Sequence, residues 1–325
     1  MSNNVNRKKI LLIGAGFMAR EYIKVVRDLE VNLEVVGNSK ENAEKLQNEC
    51  GIEVRYGGIQ KYLESLKIDD DVYAIVAVNE RALGKVTKLL VQAGCKHILV
   101  EKPGVIDVNE GKEILCLSQN CSIYVAYNRR FYASTYAAEE IINQDGGVSS
   151  FNIEFTEWKH IFDQMENKDC FDKMVLANSS HVIDMAMFLS GGKIDSVSPV
   201  ISGKDIIEWH RSGSVFGGVG FTDKKQIFTY SANWNAPGRW GIELNTSEHR
   251  LIFRPLEKLQ LQDRGSVKIY EVDTDYSLDE KYKPGLYREV IAFLNDDMDN
   301  RLCTLKEQVA NMDIYSKISG ENYYE

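Results

Sequence analysis

Residues 8–30 read KKILLIGAGFMAREYIKVVRDLE, and the change of rhythm inside this stretch decides the fold class. Its first half is a continuous apolar run that ends in glycine, as in a strand buried on both faces. Beyond Gly16 the apolar residues recur at helical spacing. Gly14, Gly16 and Ala19 fit G-x-G-x-x-G/A at the junction: Gly14 permits the tight turn, Gly16 lets a pyrophosphate approach the backbone, and Ala19 keeps helix and strand close. The helix start, at Phe17 and Met18, supplies N–H donors and the favourable end of the helix dipole. Glycines in such a turn also serve packing alone, so the flanking pattern must decide between the two roles.

That pattern continues. NLEVVG is a second strand and SKENAEKLQNECG a helix ending on glycine. DVYAIVAV, KHILVEKP and SIYVAYN read as further strands, separated by the helical stretches RALGKVTKLLVQAG and NEGKEILCLSQN. Strands alternating with helices over this length imply a parallel, doubly wound sheet with right-handed crossovers, a Rossmann domain expected over residues 1–126. At the tip of the second strand a carboxylate would accept the adenosine ribose hydroxyls and repel a 2′-phosphate. The chain has Gly37-Asn38-Ser39-Lys40 there. An amide, a hydroxyl, an ammonium and the N–H groups of a helix start suit a phosphate monoester, so NADP(H) is favoured, with NAD(H) possible. The structural alternative is that Asn38 caps the helix, with Glu41 completing a capping box.

Lys102, in VEKPG, closes the fourth strand at the edge where ligands bind in open α/β sheets. An ammonium there can lower the pKa of a substrate hydroxyl or polarise a carbonyl. Pro103 keeps Lys102 out of the α region. GAGFMA, then EKP, then YNRRF, then a histidine followed by VID occur in this order. By these motifs the chain resembles, over essentially its full length, the glucose-fructose oxidoreductase/inositol dehydrogenase/MocA family of nicotinamide-dependent sugar oxidoreductases. The resemblance implies a Rossmann domain followed by an α/β domain with a large open, mainly antiparallel sheet. It implies sugar, cyclitol or nucleotide-sugar substrates, and a homodimer or homotetramer assembled through the C-terminal sheet.

The resemblance also assigns roles. Lys102 is the active-site lysine, Glu101 its cofactor-side neighbour, and Asn79 faces the cofactor. Tyr127, Asn128 and Arg129 line the floor of the substrate cleft. His181 exchanges a proton with the substrate hydroxyl, a task suited to a group titrating near neutrality. Read alone, His181 is a histidine opening an apolar helix. Two departures stand out. The family's aspartate four residues before the histidine is Ala177 here, leaving Asn178 or Asp172 as possible partners. After the third strand, T-P-N-x-x-H is replaced by Val78-Asn79-Glu80-Arg81-Ala82-Leu83, with Leu83 at the histidine position.

From about residue 148 the pattern becomes that of antiparallel strands. SFNIEFTEWKH alternates, and hairpins turn at TDKK and NTSEH. A helix around 178–189 and two terminal helices complete an expected second domain, 127–325, for substrate binding and assembly. NWNAPGRWGIEL gathers Trp234, Asn235, Arg239 and Trp240 at a Pro-Gly turn, flat faces and donors that suit a sugar or a sugar-linked diphosphate. The alternative is that the tryptophans pack the sheet. Lys159 and His160 are weaker candidates for the same site.

Across 325 residues the chain is 44% apolar and 27% charged, with a net charge of −9. That composition is globular, and the charge argues against nucleic acid or an anionic membrane as partner. The six cysteines form no C-x-x-C pair or zinc spacing, and His97, His210 and His249 have no partners at ligand spacing, so no metal is expected. Reduced cysteines and a short apolar run after MSNNVNRKK point to a cytoplasmic protein. Two other readings remain open: a catalytically silent dinucleotide sensor, and a lyase or hydrolase that uses a tightly held nicotinamide as an internal redox agent.

Overall fold

The computed structural model describes residues 8–65 and 68–324, and the N-terminal residues 1–7 read above lie outside them. The chain forms two compact units. One comprises the described residues up to Asn128 with Glu280–Ala310 and Tyr324; the other comprises Arg129–Asp279 with Asn311–Tyr323. The first crossing falls close to the expected residue 127, but the second unit is not the unbroken 127–325 anticipated. Residues 280–310 count with the first unit because they complete its sheet and cover one of its helices.

The first unit alternates β1 (Lys9–Ile13), α1 (Phe17–Asp28), β2 (Asn32–Val36), α2 (Lys40–Cys50), α3 (Gly58–Ser65), β3 (Val72–Val76), α4 (Glu80–Gln92), β4 (His97–Glu101), α5 (Val108–Leu117) and β5 (Ser122–Ala126). All β3 residues are buried, as the continuous apolar pattern requires of a strand covered on both faces. α1 buries Ala19, Tyr22, Ile23, Val25 and Val26 along one stripe, the 3.6-residue periodicity read in the sequence.

The second unit contains α6 (Ala133–Gln144), β6 (Ser150–Glu154), the short α7 (Lys159–Asp163), α8 (Ser180–Ser190), β7 (Ile194–Ser202), β8 (Val215–Thr222), β9 (Ile227–Asn233), β10 (Gly241–Asn245), β11 (His249–Phe253), β12 (Gln260–Asp263) and β13 (Ile269–Glu271). Beyond them come α9 (Ser277–Lys281), α10 (Leu286–Leu294), β14 (Cys303–Thr304) and α11 (Leu305–Ser319). In the first unit β14 adds antiparallel to β5 and α10 packs on α1.

The first unit's sheet runs β14-β5-β4-β3-β1-β2, with β1 to β5 parallel. Strand order therefore reverses between β1 and β3, the switch point at which the loops of a doubly wound sheet diverge to form a crevice. The second sheet runs β13-β12-β11-β10-β6-β9-β8-β7. It is antiparallel apart from the β6–β9 pair. β9 alternates strictly: Phe228, Tyr230 and Ala232 are buried, while Ile227, Thr229, Ser231 and Asn233 are exposed. α8 packs on β6 and β10. The fold is thus a Rossmann-type parallel sheet followed by a large, mainly antiparallel sheet.

Candidate active site

In the first unit, the loops after β1, β2, β3 and β4 all leave the same edge of the sheet, and they carry every cofactor candidate. Gly14 and Gly16 are glycines for different reasons. Gly14 has φ +134°, and a Cβ there would lie 2.0 Å from the carbonyl oxygen of Ala77, so only glycine fits beside the end of β3. Around Gly16 a Cβ would meet nothing within 4 Å. Packing does not demand that second glycine; the open approach to the backbone suits a pyrophosphate. No side chain caps α1, and no acidic residue occupies its first turn, so Phe17 and Met18 begin a helix whose dipole favours an anion. These residues fit a dinucleotide.

At the tip of β2, Asn38, Ser39 and Lys40 are all exposed. The helix cap is Ser39 rather than Asn38: its Oγ accepts from the Asn42 N–H. Glu41 therefore cannot complete a capping box. A capping hydroxyl still holds a proton to donate. Lys40 lies 3.6 Å from Glu44, with both side chains well exposed; such a surface pair contributes little and leaves the ammonium easy to redirect. Residues 55–58 run beside this tip, an arrangement the sequence reading missed. Gly37 N–H donates to Arg55 O at 2.7 Å, and Gly57 N–H to Asn38 O at 3.1 Å.

Asn79 caps α4, its Oδ1 accepting from Ala82 N–H at 3.0 Å. Leu83 is fully buried in α4's apolar face. Glu101 is buried and accepts from Tyr22 OH at 2.8 Å. Burial pushes its carboxyl above the usual range, against the opposing effects of Tyr22 and of the Lys102 and Lys283 ammoniums. Lys102 follows, half-buried.

Tyr127 corrects an expectation. It is 1% exposed and its hydroxyl donates to Gln308 Oε1 at 3.0 Å, so it does not line an open site. Gln308 Nε2 in turn donates to Pro103 O at 3.0 Å. Tyr127 thus braces the turn that carries Lys102. Asn128 is buried too, its Nδ2 donating to Pro284 O.

The second unit gathers the substrate candidates around a residue the sequence reading passed over. Glu157, three residues beyond β6, is 1% exposed. Its carboxylate accepts from Asn178 Nδ2 at 3.1 and 3.2 Å, from Ser179 Oγ at 2.6 Å and from an Arg239 nitrogen at 3.1 Å. Burial still pushes its pKa up against these partners and Trp240. Arg239 stacks on Trp158 (4.6 Å from the ring centroid) and on Trp240 (4.3 Å), and Arg129 stacks on Trp240 (4.7 Å). The His181 ring lies 6.3 Å from that of Trp240.

The turn that leads into His181 is not α-helical. Residues Val175–Ser179 form a π-helical turn continuing into α8. Its start is held by the C-terminal Glu321, which accepts from Val175 N–H at 2.8 Å and is hydrogen-bonded to His210 Nε2 at 2.7 Å. Its end is held by Glu157 through Asn178 and Ser179. Ala177 is buried and Asp172 is exposed on a preceding 3-10 turn; the carboxylates that hold this turn are Glu321 at its start and Glu157 at its end.

Both tryptophans of the Pro-Gly turn are buried, Trp234 2% and Trp240 5% exposed. Trp234 donates to Phe155 O and packs against His210 and Phe216, and it also lines a cavity. Trp240 belongs to the cluster. The cavity, of about 600 Å³, is lined by Glu157, Trp158, Lys159, His160, Asp163 and residues 234–238, so Glu157 and Trp158 are the members of the cluster that reach it. Lys159 pairs with Asp163. Trp158, also missed, is exposed there and donates from its indole to Gly238 O. An exposed aromatic beside a donor-bearing turn was the available signal for it.

Among the described residues no helix is long and apolar enough to cross a membrane. No curated protein matches the chain in sequence. Solved structures match it over nearly their whole length. Levoglucosan dehydrogenase in complex with NADH is 17% identical, with TM-score 0.75, covering 97% of this chain and 96% of that one. UDP-N-acetylglucosamine 3-dehydrogenase from Acidithiobacillus ferrooxidans is 13% identical, with TM-score 0.74 and coverages of 97% and 98%. A putative NADPH-dependent oxidoreductase from Desulfitobacterium hafniense is 16% identical, with TM-score 0.76 and coverages of 96% and 95%. At these identities the likeness is one of fold. In sequence, residues 8–127 match the model of the GFO_IDH_MocA oxidoreductase family, NAD-binding Rossmann fold. The sequence likeness to that family therefore rests on residues 8–127, the stretch that folds as the Rossmann-type sheet of the first unit.

Proposed function

We propose that the protein is an NAD(P)-dependent oxidoreductase that moves a hydride between a nicotinamide and the hydroxyl or keto carbon of a sugar, cyclitol or nucleotide-sugar. The observation that carries this reading is the cluster around His181. His181, hydrogen-bonding side chains and aromatic faces gather around Trp240, and Glu157 and Trp158 of the same cluster line a cavity of sugar-accommodating size. The solved structures of similar fold that are titled as sugar and nucleotide-sugar dehydrogenases support the substrate class.

In this reading, the backbone at Gly14, Gly16, Phe17 and Met18 holds the pyrophosphate, and Asn79 and Glu101 flank the nicotinamide side. Asn38, Ser39 and Lys40 receive a 2′-phosphate, so NADP(H) is preferred. The bound nicotinamide supplies the acceptor or donor of hydride. His181 takes the hydroxyl proton as the carbon is oxidised, or returns it on reduction. Lys102 stabilises negative charge growing on the substrate oxygen. Glu157 fixes the π turn from which His181 projects, and Arg129, Lys159, Asn178, Arg239 and Trp240 bind substrate. The exposed face of the second sheet serves a homodimer or homotetramer, and the protein works in the cytoplasm.

Titration of the purified protein with NADPH and NADH, followed by nicotinamide fluorescence, tests the cofactor half. Nicotinamide absorbance over a panel of sugars tests the chemistry. Tighter NADPH binding and turnover of a sugar are expected. Failure of both nucleotides to bind would overturn the reading.

A further inference from the structure

Around Arg129 and Arg239 the cluster in the second unit has more hydrogen-bond donors than uncommitted acceptors: Asp163, the other carboxylate of the cavity, already pairs with Lys159 and accepts from Trp209. Glu157 is the carboxylate at its centre, and an ionised carboxylate offers about four acceptor positions. Asn178 takes two contacts, one on each oxygen, while Ser179 and Arg239 take one each. Its accepting capacity is spent within the protein. The donor side is not. Arg239 uses one nitrogen on Glu157, and its side chain is 40% exposed. Arg129 makes no ion pair among the described residues, its contacts being the faces of Trp240 and Tyr132. Its Nε is buried and finds no acceptor among those residues.

Stacking occupies the face of a guanidinium and leaves its N–H groups, which lie in the plane, directed outward. Arg239 lies over Trp158 and Trp240, and Arg129 over Trp240, so two guanidinium groups meet at one indole with Glu157 as the carboxylate paired to Arg239. A neutral sugar hydroxyl both donates and accepts, so a site for neutral sugars alone needs spare acceptors. An oxyanion only accepts, and it also offsets the excess positive charge.

We infer that Arg129 and Arg239, aligned on Trp240, form a subsite for an oxyanion, so that the substrate carries a carboxylate or phosphoryl group. This rests on the proposed function only for its sugar part; the charge preference follows from the stack. It narrows the substrate class to sugar acids, sugar phosphates or sugar-linked diphosphates.

The test uses the full chain without cofactor and follows quenching of tryptophan fluorescence by D-glucose, D-glucuronate and α-D-glucose 1-phosphate. At least one charged probe is expected to bind about tenfold or more tighter than glucose, the scale of one charge-assisted contact. Comparing the two charged probes separates carboxylate from phosphoryl recognition. Arg129→Gln should bring the charged probe to the affinity of glucose. Arg129→Lys, which keeps the charge but loses the planar fork, should fall between, and far-UV circular dichroism checks that both variants fold. Glucose binding as tightly as both charged probes, or Arg129→Gln leaving their affinity unchanged, overturns the inference. Adding NADP⁺ to the same mixtures separates the two readings. Charged probes that bind with no absorbance change for any sugar remove the dehydrogenase and leave the subsite. Oxidation of neutral sugars with no advantage for charged ones removes the subsite and leaves the dehydrogenase.

Discussion

Glu157→Ala is the perturbation with the clearest expected cost. It withdraws the acceptor from Asn178, Ser179 and Arg239 at once. Ser179 is fully buried and cannot recruit water, so its orphaned hydroxyl costs about 1–3 kcal/mol. Arg239 is substantially exposed and recovers hydration, so its ion pair adds no more than about 1 kcal/mol. A total of about 1–4 kcal/mol follows from those two losses. All four tryptophans, Trp158, Trp209, Trp234 and Trp240, lie in the second unit. Fluorescence-monitored urea unfolding therefore reads that unit alone.

Glu157→Gln separates the charge from the hydrogen bonds. The amide keeps one acceptor oxygen for Ser179, and the expected cost at low pH is about 1 kcal/mol. Burial raises the Glu157 pKa, so between its ordinary and its raised value the folded chain binds the proton more tightly than the unfolded chain. Wild-type stability from this group is then complete below about pH 4.5 and declines as pH rises through the folded pKa. The glutamine variant has no such decline. The gap between the two proteins should narrow as pH increases. A gap that widens with pH would mean that Arg239 and the other donors outweigh burial. A cost for Glu157→Ala below about 1 kcal/mol would mean that the carboxylate does not hold the turn.

The two glycines should respond differently: Gly14→Ala, forced against Ala77 O, should lose soluble folded protein. Gly16→Ala should keep the thermal midpoint followed by far-UV circular dichroism but weaken dinucleotide binding by about tenfold or more, measured by nicotinamide fluorescence. Lys40→Asp should turn an NADPH preference into an NADH preference in the same titration; an unchanged ratio would reduce residues 38–40 to a helix start. Tyr127→Phe should destabilise by about 1 kcal/mol and lower kcat with little change in cofactor affinity, because it loosens the Lys102 turn through Gln308. An unchanged kcat would confine Tyr127 to packing.

The parts of this fold that were legible in the sequence are those written in short-range pattern. The apolar run of β1, the helical stripe of α1 and the alternation of β6 each name their element without reference to distant residues. The cofactor edge was legible for the same reason, since each candidate sits at the end of such a strand. What escaped depends on separations that no local window spans. β14 joins β5 across more than 170 residues, and the π turn is pinned by Glu321 from the far end of the chain. Trp234 and Trp240 share one turn and one residue type and are both buried, yet Trp234 donates to Phe155 and packs on His210 and Phe216, and Trp240 packs on Arg129 and Arg239, neighbours from distant segments.

The missing aspartate shows how such a gap is filled. At Ala177 the backbone is in a π turn, where the hydrogen bond spans five residues and the side chains no longer repeat at the α-helical four. An acid at that position would not stand over His181 as one does in an α-helix. The acidic group arrives instead from the segment after β6, and Glu157 takes hold of Asn178 and Ser179, the last two residues of the turn. Moving the carboxylate off the helix has a cost for recognition. Committed to its own turn and to Arg239, Glu157 has no accepting capacity left for a substrate hydroxyl. The contacts that hold the turn before His181 are therefore also the contacts that spend the accepting capacity of Glu157.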